Sequence, residues 1–233
     1  MQRWVMLMAG LLATWSAFAE WTGEGELGLV LARGNSDNET VNARLKLVWE
    51  REQWVNETIL SAVHSSESDE TTASRYVLSN KTDYTLNKTS YLAGVVRYDR
   101  DRFSGFRFQS SAAVAYGRRL IDSEAHRLRV EIGPGLKYAE SRATGESTSE
   151  AMLRGYTQYT WVMSTTANLD NRLLVEAASD NTFAENELAL EVAINDRLAL
   201  KAGLAVRHNT DVDPGREKTD TLTTANLVYH FGQ

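Results

Sequence analysis

Residues with the chemistry for catalysis are few in this chain, and their spacing does not bring them together. The four histidines, His64, His126, His208 and His230, form no His-x-x-x-His or other metal-spaced pair. Cysteine is absent, which removes disulfides, thiol redox chemistry and thiolate metal sites. A hydrolase needs a serine, a histidine and a third orienting group that converge. The nearest approach to that set is His208 with Ser65 or Ser66 beside His64, and solvated rim histidines are the simpler reading. No catalytic, cofactor-binding or metal residue is assigned, and no cofactor is expected. The net charge of −6 leaves no basic footprint for nucleic acid.

Charge is abundant, and it recurs at alternate positions. Leu198, Leu200, Ala202, Leu204 and Val206 interleave with Arg197, Lys201 and Arg207. A period of two means a strand with one apolar and one polar face. The same pattern returns in about a dozen short segments, which predicts an all-β, antiparallel, up-and-down transmembrane barrel. The clearest segments carry Leu27, Leu29 and Leu31 against Glu24 and Glu26; Val41, Leu45 and Leu47 against Arg44 and Lys46; and Leu128, Ile132 and Leu136 against Arg127, Arg129, Glu131 and Lys137. Segments near Trp54–His64 and Leu169–Ala177 alternate poorly.

With the apolar face toward lipid, the expected lumen-lining charges are Arg44, Lys46, Arg75, Lys81, Arg97, Asp99, Arg107, Arg127, Arg129, Glu131, Lys137, Arg154, Glu187, Glu191, Lys201 and Arg207. A polar lumen is obligatory in such a barrel, and the near balance of signs points to mutual pairing. The sharper alternative is a narrow porin-like pore whose arginines select small anionic solutes. An outer-membrane lipid hydrolase is a remote third. Lumen positions are expected to tolerate substitution, so Lys201→Gln should be mild where Leu204→Arg is not.

Connections near 34–39, 65–73, 100–106, 141–150, 180–183 and 209–219 read as longer, and those near 52–53, 87–89, 163–166 and 195–196 as tight, with 119–125 an exception. That alternation fits short periplasmic turns and long outer loops. Trp21, Trp49, Trp54, Tyr84, Tyr91, Trp161, Tyr229 and Phe231 are expected to form one aromatic girdle, and Tyr76, Tyr98, Phe106, Phe108 and Tyr138 the other. Pro134 cannot donate to a ladder and predicts a bulge or local gap in its strand.

Residues 1–19 read as a secretory signal peptide: Arg3, an apolar run, then Ala17-Phe18-Ala19 with cleavage between Ala19 and Glu20. Residues 20–233 then form one barrel domain exported to the outer membrane of a Gram-negative cell. The expected partners are outer-membrane lipid and lipopolysaccharide, and the barrel-assembly machinery through Tyr229 and Phe231 of the last strand. Acidic loop residues such as Asp101, Asp211 and Glu217 could share divalent cations with lipopolysaccharide phosphates.

Several stretches together resemble the salt-induced outer-membrane protein family of Gram-negative bacteria (YdiY-like), whose shared domain has no assigned function. They are Arg33-Gly34-Asn35-Ser36-Asp37, Arg119-Leu120-Ile121-Asp122 with His126-Arg127-Leu128, and Glu131-Ile132-Gly133-Pro134-Gly135. The most specific is Tyr98-Asp99-Arg100-Asp101-Arg102-Phe103-Ser104-Gly105. The resemblance implies an outer-membrane barrel with a salt, osmotic or envelope-stress role and brings no catalytic or ligand residues. The ending Phe231-Gly232-Gln233 departs from the usual terminal aromatic.

Overall fold

A computed structural model describes residues 20–32, 38–67, 70–102, 104–142, 144–212 and 217–232. The expected signal segment 1–19, the Arg33–Asp37 stretch and Phe103 lie outside them. Twelve antiparallel strands follow in chain order: β1 Glu20–Ala32, β2 Asn38–Arg51, β3 Trp54–Glu67, β4 Glu70–Thr85, β5 Ser90–Asp101, β6 Phe106–Asp122, β7 His126–Ser141, β8 Ser147–Val162, β9 Ala167–Ala178, β10 Thr182–Ala193, β11 Leu198–Asn209 and β12 Thr219–Phe231. Each pairs with its sequence neighbours, and β1 pairs with β12 to close the barrel. Closure leaves no sheet edge to shield, and it lets a strand-built wall satisfy its own backbone in lipid.

The period of two sets the faces. Leu27, Val114, Ile132, Leu136, Leu153 and Leu200 are all more than half exposed on the outside of the wall. A contiguous apolar exterior on this scale is a lipid-facing band. Aromatic pairs flank it. At the end that carries the termini, Trp21 packs on Trp49 with ring centroids 6.5 Å apart and Trp54 on Tyr84 at 4.7 Å. At the opposite end, Phe108 lies between Tyr98 and Tyr138, at 5.6 and 5.7 Å.

Two of the expected girdle aromatics point the other way. Tyr91 is 1% exposed and sits inside the barrel, its ring lying over Gly117 on the neighbouring strand, where a Cβ would come within 2.3 Å of the ring. Phe106 turns inward as well, because the β6–β7 register shifts between Phe106 and Phe108. Two connections also differ from the sequence reading. Most of 65–73 belongs to β3 and β4, so that supposed long loop is short; on the tight side β6 runs on to Asp122, and the expected exception shrinks to a turn at 123–125 that fits the pattern.

Pro134 does produce a local gap. On the β8 side it keeps register opposite Leu153, whereas on the β6 side the ladder skips from Ala113↔Gly135 to Tyr116↔Ile132 without a shift. The two backbones touch there. A Cβ on Gly133 would stand 2.0 Å from the Val114 carbonyl oxygen, so only glycine fits beside the proline.

Candidate functional site

The lumen is the one place where this fold gathers polar groups. Inward positions of β4, β7 and β8 bring Lys81, Asp83, Glu131 and Arg154 together, all buried. Glu131 is the hub. It contacts Lys81 Nζ, accepts from Arg154 Nη1 at 2.8 Å and accepts the Tyr91 hydroxyl at 2.9 Å. Arg129 donates to Gln158, which donates to Asp170, which in turn holds Arg172 at 2.7 Å. A second knot near the terminal strands has Lys201 at its centre, 2.6 Å from Glu24, 2.9 Å from Glu26 and 3.5 Å from Glu191. Arg44 ties the two knots, 3.8 Å from Glu26 and 3.3 Å from Glu187, and Lys46 stands 3.7 Å from Glu57.

A third knot bridges the barrel from wall to wall. Glu185 on β10 receives Arg75 from β4 at 3.3 Å, Arg97 from β5 at 2.9 Å and Arg207 from β11 at 2.7 Å. Asp99 is shared by Arg75 and Arg97. Strands β4 and β10 are diametrically opposed in the ring of twelve, so the Arg75–Glu185 pair crosses the lumen. Ion pairs at such burial hold only when each charge keeps good partners. Loss of one member therefore leaves its neighbours exposed to the full desolvation cost.

Space is distributed unevenly around these knots. Two mid-depth cavities hold only about 120 and 130 Å³. At the end away from the termini a vestibule of about 820 Å³ opens, with Arg75, Arg97, Asp99, Lys137, Phe106 and Phe183 in its lining.

Two expected lining residues are not in the lumen interior. Arg107 sits on the bulge that turns Phe106 inward, two-thirds exposed, and pairs with Glu140 at the rim. Arg127 is exposed at the mouth near the termini. Sequence reasoning passed over Asp170, Arg172, Glu185, Tyr91 and Tyr156, although Asp170, Arg172 and Glu176 alternate on β9 and Glu185 shares the parity of Glu187 and Glu191.

Asp99 to Asp101 end β5, and Ser104 and Gly105 lead into β6. Asp99 reaches into the third knot, the Ser104 hydroxyl donates to the carbonyls of Asp101 and Phe106, and Arg142 from the next turn donates to the same two carbonyls. The histidines do not assemble a nucleophile pair. His64 is exposed on the outer face, while Ser65, on the opposite face of β3, bonds Thr40 at 2.9 Å. His208 bonds Thr219 and His230 bonds Glu191. Among the described residues no cluster of three or more His, Asp or Glu is placed to hold a metal ion.

Comparison with known proteins matches these features. One relative, the uncharacterized protein YdiY of Escherichia coli (strain K12), is 27% identical over 244 residues, covering 97% of this chain and 95% of its own. Among solved structures, the NanC porin superposes with a TM-score of 0.52 at 10% identity, covering 90% of this chain and 97% of that one. The translocator domain of the autotransporter NalP from Neisseria meningitidis gives a TM-score of 0.47 at 12% identity, over 96% and 91%. With its closed twelve-stranded ring, its apolar exterior and the fold it shares with the NanC porin, the protein is an outer-membrane-type β-barrel. Residues 25–231 match the model described as protein of unknown function, DUF481, and the chain belongs to that family.

Proposed function

We propose that this protein is a non-enzymatic outer-membrane barrel whose lumen is tied shut at mid-depth by ion pairs. In this reading it serves the envelope structurally, under salt or osmotic stress, rather than as an open diffusion pore. The Arg75–Glu185 pair carries the reading, since it joins opposite walls of the barrel through the space an open pore needs. The small mid-depth cavities support it further. The stress role rests on the family resemblance. Export through residues 1–19, with both termini in the periplasm, is part of the same reading. So are contact with lipopolysaccharide at the far rim and recognition by the assembly machinery through Tyr229 and Phe231, both exposed on the outer face of β12.

Planar-bilayer recording of the purified barrel tests it. The wild type should show no sustained open-channel current, and Glu185→Gln, which releases three arginines at once, should introduce one. Stable wild-type steps with anion preference would instead favour the second reading, a narrow anion channel. One observation speaks for that alternative. The third knot gathers the guanidiniums of Arg75, Arg97 and Arg207 beneath the vestibule, the side chains an anion-selective constriction would use, beside the carboxylates of Asp99, Glu185 and Glu176.

A further inference from the structure

Lys137 combines deep burial with a single loose ion pair, whereas Lys46, whose pair with Glu57 is also long, is partly open to solvent. Lys137 is 6% exposed and lines the vestibule, yet among the described residues its Nζ has no hydrogen-bond acceptor. Asp180 Oδ2 lies 3.9 Å away, beyond hydrogen-bond length, and the Phe106 ring centroid is 5.6 Å off. A buried ammonium normally keeps acceptors for its three protons, and leaving them empty is costly. The ladder places Lys137 opposite Ser111, and Ser111 opposite Arg97, so the three side chains share one inward row across β7, β6 and β5. Ser111 donates to Glu176 at 2.9 Å, and Arg97 packs over the Phe183 ring at 5.7 Å.

We propose that the vestibule is a binding site for a small solute bearing an oxyanion, a carboxylate or a phosphate, which seats on Lys137 Nζ with Arg97 beside it. The rings of Phe106 and Phe183 supply apolar walls for the rest of the solute. The occupant is a free solute and not a lipid headgroup, because Lys137 lies inside the wall and the membrane outside it. Asp211, Glu217 and Asp220 give the mouth the opposite sign, but they are exposed, and salt screens such charges over about 8 Å at physiological ionic strength. Asp99, Asp101 and Glu176 lie deeper in the lining, where Asp99 is held by Arg75 and Arg97 and Glu176 accepts from Ser111. The site needs no open pore beneath it, so its test and the conductance test fail independently.

Isothermal titration of the mature barrel in lipid-free micelles, with acetate and with inorganic phosphate at near-physiological ionic strength, decides the matter. The wild type should bind at least one of them saturably. Lys137→Met should weaken that binding about tenfold or more, the weight of one charge-assisted hydrogen bond, while Lys137→Arg retains most of it. Arg127→Gln, at the far mouth, should bind as the wild type does. In the absence of anions Lys137→Met should refold at least as well as the wild type, since it removes a cation without acceptors. Absent or unsaturable binding, unchanged affinity in Lys137→Met, binding that appears only after lipopolysaccharide is added, or a Lys137→Met chain that cannot refold would each overturn the proposal.

Discussion

The two halves of the lumen meet the same requirement in different ways. Toward the termini, charge is closely paired: Glu131 binds Lys81, Arg154 and Tyr91, and Lys201 binds three carboxylates. Toward the other end a cavity of about 820 Å³ opens, and Lys137 has, among the described residues, no hydrogen-bond acceptor and only a 3.9 Å ion pair with Asp180. A polar interior can thus be packed as tightly as an apolar core or left receptive, within one barrel. The choice depends on whether opposite walls carry side chains long enough to meet.

The sharpest way to break that contrast is to open the packed half. Glu131→Ala removes the carboxylate that buried Lys81 and Arg154 share and should cost about 3–5 kcal/mol in urea unfolding of the refolded barrel. A loss no larger than that of Arg127→Gln would mean the packed half contributes little. Next in size, Leu204→Arg or Ile132→Arg places a charge on the lipid face and should cost about 2–4 kcal/mol in bilayers. The expectation that Lys201→Gln would be mild changes with the structure, since three carboxylates lose their cation; its loss should rival that of Leu204→Arg. Unlike the arginine variant, Lys201→Gln should be as damaging in micelles as in bilayers. In the receptive half, Lys137→Met should leave stability unchanged or raised, read from the heat-modifiable gel shift. The smallest effect lies at the β2–β3 turn, where Glu52 has a φ of 53°. Glu52→Gly should stabilise by about 1 kcal/mol, and an unfolding midpoint that falls would argue against left-handed strain there.

The architecture was legible because a barrel strand writes its inside and outside into alternate letters. β11 and β7 show this plainly. β9 hid its inward row because Leu173 and Leu174 sit side by side, one on each face, and blur the alternation around Asp170, Arg172 and Glu176. Tyr91 was misplaced for a different reason: a tyrosine near a strand end satisfies a girdle and a lumen equally well until the glycine beneath its ring is known. The sequence marks which charges face inward but cannot mark which of them meet. The Arg75–Glu185 contact joins residues 110 positions apart and depends on the circumference of the closed ring. The same limit hid the vestibule, which exists only where the knots stop.

The seam that closes the barrel also has a kinetic consequence. Every other junction joins strands adjacent in the chain, whereas β1 meets β12 over the stretch from Gly23↔Phe231 to Gly28↔Asn226. Hairpins close quickly because their loops are short, but this junction must bring together the two ends of the domain and can form only when the intervening sheet has curled. Folding should therefore end with it. Until then β1 and β12 are open edges in search of a partner, so the nascent barrel is most vulnerable to joining a second copy of itself at the step that finishes it.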